Sequence, residues 1–388
     1  MSRQGHLIAV VGAILIAFVT VACGGGGQGN AAGRDSERDP ATNEETAASK
    51  VDRSTAKTTR EPVGLDVETV TPGKAYEPAG FVEGSLWATD IVACNDTGSA
   101  SSSAGSYDST VNGSAPVSLV ACAAPKKTLL KRLDPRTGEE VAEIPLKFFY
   151  ADSTRVGVGA GSVWVSGAGV VTRIDPETNR VVDRIPVDSP TGLAFGHGSV
   201  WVSSAQNGTV SRVDPQTGKV AAKIEVGEGA VDIATDESSG DVWVACSYQA
   251  EDNKLSRVDP ATNRVVAEIP IEAHSRYGGA WRVALGEGVV WAQSVDGRLF
   301  KVDPATNEVA AVVPLGGYSS DLAVYGGAVW ATAQPSSGTR LYRIDPSTAR
   351  VVATEDGPEP ATGGYRGLVA GGGYVWLASG GGLARVAP

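Results

Sequence analysis

Short runs in which apolar and polar residues alternate recur along most of the chain, and turn residues separate them. In one copy the runs are residues 192–195, 199–203, 210–213 and 220–226. A period of two is typical of β-strands, and no segment shows the competing 3.6-residue period of an amphipathic helix. The pattern therefore predicts an all-β protein built from units of four short strands.

Two motifs mark each unit. An aliphatic residue precedes Trp at Trp87, Trp164, Trp201, Trp243, Trp291, Trp330 and Trp376. Asp-Pro follows at Asp134, Asp175, Asp214, Asp259, Asp303 and Asp345, and a degenerate copy lies at 385–388. Repeats of about 46 residues are typical of propeller blades, which cover each other's faces when packed radially. We predict a seven-bladed β-propeller over residues 65–388, with four-stranded antiparallel blades and each Trp packed between neighbouring blades.

The Asp-Pro motif continues as Asp-Pro-x-Thr followed by Gly or Asn, as in residues 214–218. This is a turn sequence: Asp accepts backbone N–H bonds, Pro fixes φ, and Gly or Asn tolerates positive φ. The six aspartates are therefore interpreted as turn formers. Ala349 replaces Gly or Asn in the sixth copy, so this turn is expected to be strained or built differently.

Ring closure follows from the order of the strands. The last unit ends after its third strand, whereas residues 65–70 alternate like the outer strands of other units and precede the first unit. We predict that residues 65–70 complete the last blade by pairing with the strand that ends at Val386.

The repeat at residues 209–220, which leads into 224–227, resembles the YVTN-type repeat of surface and periplasmic seven-bladed propellers. It is also similar to repeats of virginiamycin B lyase-like proteins and the wider NHL-like group. The lyase resemblance implies a divalent metal and a His/Glu pair that open a lactone by elimination. The chain has only His6, His197 and His274, and no segment matches the lyase's His-containing motif, so the activity is not transferred.

The first residues are typical of an export signal, with Arg3 followed by an apolar run from Leu7 to Val21. Thr20-Val21-Ala22-Cys23 resembles a bacterial lipobox, which implies lipidation of Cys23. We expect a signal peptide at 1–22 and, at 23–64, the lipidated Cys23 followed by a disordered tether, because Gly24–Gly64 contains no Leu, Ile or aromatic residue and only Val51 and Val63 as larger aliphatic residues. An ordinary cleaved signal is the alternative. The expected location is the outer side of a bacterial cell membrane.

Charge and composition exclude several classes of function. The formal net charge is -11, whereas nucleic-acid binding draws on an excess of Lys and Arg, so we expect no nucleic-acid partner. A third function, binding of single-stranded nucleic acid by stacking on Trp281 and the Tyr residues, is disfavoured for the same reason. No Cys/His spacing suggests zinc, and no Gly-rich segment opens a helix that could hold phosphate. We expect no metal and no cofactor.

Irregular sequence concentrates on one end of the predicted ring. The loops from each outer strand to the next inner strand, with the inner-strand starts, carry Tyr76, Phe148, Phe149, Tyr150, Arg155, His274, Arg276, Tyr277, Trp281, Arg282, Tyr318, Asp321, Tyr365 and Arg366. Aromatic residues with Arg are typical of binding hot spots, although the rings could instead plug the channel. Arg155, Asp232, Arg282 and Asp321 start inner strands and form either a polar ligand site or mutual salt bridges.

One long insertion, residues 95–121, interrupts the first blade on the same side. Cys94 and Cys122 flank it at the adjoining ends of a predicted hairpin, and in an exported protein this placement predicts a disulfide. Cys246 is expected to be a buried small apolar residue.

Together these features predict a lipid-anchored, monomeric binding or interaction propeller whose ligand is an unknown protein or small molecule. The alternative is a lyase or lactone-type hydrolase at the channel mouth, with His274 as base and Arg276 or Arg282 stabilising an anion.

Overall fold

The computed structural model describes residues 62–72, 76–82, 84–90, 127–149, 155–235, 240–247, 253–272, 279–335, 338–357, 366–379 and 382–388. These residues form 29 strands. Within these ranges, no helix has the length and apolar character that a membrane crossing requires.

The strands form seven sheets, called blades one to seven in chain order. Blade one contains β3 (Tyr76–Val82), β4 (Ser85–Asp90), β5 (Lys127–Leu133) and β6 (Glu140–Phe149), and blade two contains β7 (Arg155–Gly159), β8 (Ser162–Gly167), β9 (Val170–Asp175) and β10 (Arg180–Pro186). Blade three contains β11 (Pro190–Gly196), β12 (Ser199–Ser204), β13 (Thr209–Asp214) and β14 (Lys219–Glu225), blade four contains β15 (Ala230–Thr235), β16 (Val242–Cys246), β17 (Lys254–Asp259) and β18 (Arg264–Pro270), and blade five contains β19 (Ala280–Gly286), β20 (Val289–Ser294), β21 (Arg298–Asp303) and β22 (Glu308–Pro314). Blade six contains β23 (Tyr318–Tyr325), β24 (Ala328–Gln334), β25 (Arg340–Asp345), β26 (Arg350–Asp356) and, from the N-terminal segment, β1 (Val63–Gly64), and blade seven contains β27 (Arg366–Gly371), β28 (Tyr374–Ser379), β29 (Gly382–Val386) and β2 (Val67–Pro72).

The first strand of each blade faces the centre of the molecule. Each of these inner strands contacts the inner strand of the next blade, and the last, β27, contacts the first, β3. The seven blades therefore close into a circle, which confirms the predicted seven-bladed propeller. The inner strands begin at one end of the ring, called here the mouth face. The Asp-Pro turns lie at the other end, called the turn face.

The apolar core lies between the blades. Seven clusters of buried side chains each combine residues of two adjacent blades, and each contains one repeat Trp. Trp201 of blade three, for example, lies with Val242 and Val244 of blade four. All seven of these Trp residues are fully buried. Burial of an indole is among the largest apolar contributions that one side chain makes, so the prediction that Trp packs between blades is confirmed.

A cation on the third strand links six of the seven blades to the next blade. The Arg212 guanidinium lies 5.0 Å from the centre of the Trp201 ring, and its Nη1 donates to the Pro260 carbonyl of the next blade at 2.6 Å. Five further cations make the same bond to a proline carbonyl at 2.6–2.9 Å: Arg132 to Pro176, Arg173 to Pro215, Arg257 to Pro304, Lys301 to Pro346 and Arg385 to Pro135.

Arg343 is the exception, at the boundary between blades six and seven. Its guanidinium stacks 5.6 Å from the centre of the Trp330 ring, but its Nε is buried without a hydrogen-bond partner in the described structure. Blade seven has Ala387-Pro388 where the other blades have Asp-Pro, and among the described residues no proline carbonyl accepts from Arg343.

The Asp-Pro turns are built as the sequence predicts. Asp175 Oδ1 accepts the backbone N–H groups of Glu177 and Thr178 at 2.8 and 3.3 Å, and these bonds, the one from Glu177 foremost, hold the pKa of Asp175 below its usual value. Ala349 has φ 52° and keeps the same turn bonds, since its N–H donates to the Asp345 carbonyl at 2.9 Å. The sixth turn is therefore strained by a left-handed alanine rather than built differently.

The N-terminal segment closes the ring. β2 pairs antiparallel with β29, with Val67 opposite Val386 and Glu68 opposite Arg385. The Arg385 Nε donates to Glu68 Oε2 at 2.8 Å. The prediction that this segment completes the last blade is confirmed, although the strand begins at Val67 rather than at residue 65.

A second contact of this segment was not anticipated. Val63 and Gly64, which the sequence assigns to the tether, form β1 and pair in parallel with Ala353 and Thr354 of β26. The Leu65 N–H also donates to Glu355 Oε2 at 3.3 Å. Two residues are too short to show an alternating pattern, so no sequence signal marks this strand.

Candidate mouth site

The structure describes the predicted site residues to different extents. The side chains of Arg155, Trp281, Arg282, Tyr318 and Asp321 are described. Only the backbone is described for Tyr76, Phe148, Phe149 and Arg366, which lie in β3, β6 and β27. The remaining candidates lie outside the described residues: Tyr150, His274, Arg276, Tyr277 and Tyr365, together with Cys23, Cys94 and Cys122.

One layer of residues near the mouth is defined by the strand register. In every blade, one inner-strand residue lies opposite the buried Trp. The residue two positions before it belongs to this layer. The layer consists of Pro78, Arg155, Gly192, Asp232, Arg282, Asp321 and Gly367 in blades one to seven. Four charged side chains and three positions that carry no charge therefore share one level of the channel.

Asp321 of blade six connects three blades. Its Oδ1 accepts from the Arg282 Nε of blade five at 3.0 Å, and its Oδ2 accepts from the Gly367 N–H of blade seven at 3.0 Å. Within its own blade the Asp321 N–H donates to Thr332 Oγ1 at 3.1 Å. Both side chains of the ion pair are mostly buried, 13% and 22% exposed, so screening by solvent is limited.

Asp232 of blade four makes a second connection. Its Oδ2 accepts from the Val283 N–H of blade five at 3.0 Å. Desolvation by the surrounding protein raises the pKa of Asp232, and the charges of Arg282 and Arg155 act in the opposite direction. Blade three has Gly192 at this level, so no side chain stands between Asp232 and the cation of blade two.

This layer thus contains two cations and two carboxylates. The pair of Arg282 and Asp321 is a salt bridge, as one interpretation of these residues predicts, whereas the bond that joins Asp232 to blade five comes from the backbone N–H of Val283. Arg282, which the alternative lyase mechanism uses to stabilise an anion, is engaged by Asp321. The other two residues of that mechanism, His274 and Arg276, lie outside the described residues.

The aromatic candidates differ in their accessibility. Tyr318 is 56% exposed at the start of β23. Trp281 is partly buried against the core between blades four and five, and the Arg282 guanidinium lies 5.4 Å from the centre of its ring. Trp281 is therefore held in place, whereas Tyr318 offers an aromatic surface to solvent.

The sequence reasoning missed a set of polar residues behind this layer. Ser203, Gln293 and Thr332 lie two residues after the Trp of their blades and are fully buried or nearly so. Ser203 Oγ accepts the Gly192 N–H at 2.8 Å, and the Gln293 Nε2 donates to the Thr332 carbonyl at 3.0 Å. The signal was available, because Ser, Thr or Gln recurs at this position in five of the seven copies.

Two other chemistries depend on a reactive thiol or on a cluster of metal ligands. Cys246 is fully buried, which confirms the prediction of a buried small apolar residue, and desolvation raises the pKa of its thiol to about 11. Within the described ranges, no group of three or more His, Cys, Asp or Glu side chains is arranged to hold a metal ion.

Comparison with known proteins gave a family and two similar structures. Residues 126–355 match the family model described as "Outer membrane protein assembly factor BamB". The fold is similar to Kuenenia stuttgartiensis hydrazine synthase, with a TM-score of 0.48 and 18% identity over 56% of this chain and 70% of that chain. It is also similar to BamB from Moraxella catarrhalis, with a TM-score of 0.49 and 14% identity over 68% of this chain and 81% of that chain. No curated protein matches the chain.

Proposed function

Because the chain belongs to the family of the outer membrane protein assembly factor BamB, we propose that it is a lipid-anchored, extracytoplasmic scaffold that binds a protein partner. The name of the family describes assembly of proteins at a membrane, which fits a protein ligand better than a small molecule. The YVTN-type repeat and the lipobox at Cys23 support the same location. We expect the mouth face to be the binding surface.

One observation carries the choice of face. The mouth face presents the exposed ring of Tyr318 next to Asp321 and Arg282, whereas the turn face repeats the same hydrogen-bonded turn in successive blades. Aromatic residues and Arg are enriched in binding hot spots, where a ring buries a large area at little cost in conformational entropy. Among the described residues, the turn face departs from its repeated turns at Tyr325 and Tyr374, and both of these side chains are only partly exposed.

The entry point of the N-terminal segment supports this arrangement. β1 lies on the outer edge of blade six, at the perimeter of the ring and away from the central channel. The segment that carries the proposed lipid at Cys23 therefore joins the propeller at its perimeter and not at the mouth.

The choice of face is tested by capture from a detergent extract of the native membrane. Changing Trp281 and Tyr318 to Ala together should weaken capture of the bound protein at least about tenfold, since each ring is typical of a hot spot. Arg136→Ala is the matched control, because this side chain is 85% exposed on the turn face. If Arg136→Ala lost capture and the double variant kept it, binding would belong to the turn face and the proposal of the mouth face would be wrong.

The anchor is tested separately. Incorporation of a labelled fatty acid should be lost in Cys23→Ser, and the variant should leave the membrane fraction. Continued labelling of this variant would show that Cys23 is not the lipidated residue.

A further inference from the structure

The outer strands of the blades expose their edges at the perimeter, and their sequences differ at one position. In each blade, the third-strand residue just before the stacking cation pairs with one residue of the outer strand. That outer-strand residue is called the edge position. It is occupied by Glu143, Arg184, Lys223, Glu268, Val312 and Thr354 in blades one to six, and by Thr69 in blade seven. A charge on an edge strand prevents another strand from pairing with it, because pairing would desolvate that charge.

Blades one to four carry such a charge. Blade six has Thr354, and its edge is already covered, since Gly64 of β1 pairs with Thr354 itself. Blade seven has Thr69 beside the charged Glu68. These six edges are therefore charged, covered or flanked by charge.

Blade five differs from all of them. Between Glu308 and Pro314, β22 contains only Val309, Ala310, Ala311, Val312 and Val313. Val309 is 37% and Val312 is 47% exposed. Among the strands that the structure describes, none pairs with the outer edge of β22.

The neighbouring blade shows how such an edge is occupied. Val63 and Gly64 pair with Ala353 and Thr354, which correspond in register to Ala311 and Val312 of β22. The bulge at Ala310 interrupts the start of the ladder, as the bulge at Val352 does in β26, and leaves residues 311–313 as the regular part of the edge. The same backbone geometry is thus covered by an added strand on blade six and open on blade five.

We propose that the outer edge of β22, at Ala311–Val313, is a second protein-binding site, which accepts an extended apolar segment of a partner as an added β-strand. Strand addition draws its affinity from main-chain hydrogen bonds and its selectivity from side chains at alternate positions. The preferred segment has β-branched apolar residues and no charge opposite Val312. This site lies at the perimeter and is separate from the mouth face.

A second copy of the chain is the less favoured occupant. Two convex blade edges meet along one short strand pair, which buries far less than the roughly 1,200 Å² of a stable interface. An extended segment of a partner held elsewhere on the scaffold gains from its high effective concentration, as β1 does within this chain.

The proposal is tested with the peptide Lys-Thr-Val-Thr-Val-Thr-Lys and the full-length chain in detergent. Binding is followed by fluorescence anisotropy, and hydrogen exchange is followed in parallel. The peptide should slow exchange at residues 311–313, and Val312→Lys should weaken binding at least about tenfold, which corresponds to 1.4 kcal/mol. Glu268→Lys, which keeps a charge at the same position of blade four, should bind as the unchanged chain does.

Three results would overturn the proposal. The first is equal binding by Val312→Lys, and the second is protection that falls outside β22. The third is a dimer in sedimentation that Val312→Lys dissociates, because it would assign the edge to a second copy. A peptide with N-methylated valines, which cannot donate the ladder hydrogen bonds, tests the mechanism without altering the protein and should not bind. The Trp281/Tyr318 double variant should bind the peptide normally, so failure of the mouth site and failure of the edge site are distinguishable.

Discussion

Replacing Arg212 with Met tests the link between adjacent blades. Met keeps an apolar stem against Trp201 but removes the cation, and with it the bonds to Ser199 Oγ at 2.8 Å and to the Pro260 carbonyl at 2.6 Å. A hydrogen bond from a charged donor contributes about 1.5–3 kcal/mol, and a cation over an indole about 0.5–1 kcal/mol. We expect the free energy of unfolding to fall by about 4 kcal/mol, from two such bonds at the low end of this range and the stacking contribution.

Arg343→Met is the matched control within the same chain. Arg343 stacks on Trp330 as Arg212 does on Trp201, but its Nε has no partner and the structure places no proline carbonyl against it. This variant loses only the stacking contribution, so a loss of about 1 kcal/mol is expected. The difference of about 3 kcal/mol between the two variants measures the hydrogen bonds from Arg212.

The assay is urea unfolding followed by Trp fluorescence, because the seven repeat Trp residues are fully buried and become exposed on unfolding. Arg212→Lys reproduces the arrangement of Lys301, which bonds to the Pro346 carbonyl at 2.7 Å, and should recover about half of the loss. Equal losses in Arg212→Met and Arg343→Met would refute the reasoning, since the bond between blades would then contribute nothing measurable.

Four further predictions follow from single features of the structure. Removal of residues 60–72 deletes β1 and β2 and should lower the melting temperature sharply; an unchanged value in differential scanning calorimetry would contradict closure by this segment. Ala349→Gly relieves a left-handed alanine and should stabilise the protein by about 1 kcal/mol in urea titrations, whereas destabilisation would show that the turn is not strained. The lowered pKa of Asp175 means that its turn bonds add stability fully above the ordinary carboxyl pKa of 3.8 and lose it as the pH falls through the lowered value. Asp175→Ala should therefore lose less stability between pH 6 and pH 3 than the unchanged chain, and an equal loss in both would argue against this contribution. Peptide mapping without reductant should recover Cys94 and Cys122 joined, and two free thiols would exclude the disulfide.

The repeated part of the fold was predictable because its signals are local. A buried Trp, an Asx turn and a period of two each follow from neighbouring residues, and their recurrence gave the blade count. Closure by the N-terminal segment was also predictable, since a missing outer strand and a spare alternating segment match each other. The boundary of β2 was less certain, because alternation continues through Leu65 while pairing with β29 begins at Val67.

The contacts between blades were not predictable in the same way. Arg212 and Pro260 are 48 residues apart in sequence, and only the circular packing of blades brings the guanidinium to that carbonyl. The sequence showed a cation and a proline in every copy, but neither pattern indicates which copy a side chain contacts. The missing partner of Arg343 and the pairing of β1 with β26 follow from the same cause.

The sequence alone determined the architecture and the seven repeats, because each is encoded in residues that interact with near neighbours. Tertiary structure decided which charges at the mouth neutralise each other and which blade edge an added strand covers. Arg282 and Asp321 become an ion pair only when blades five and six pack together, and β1 covers the edge of β26 only when the N-terminal segment reaches blade six, since both contacts join strands that are far apart along the chain.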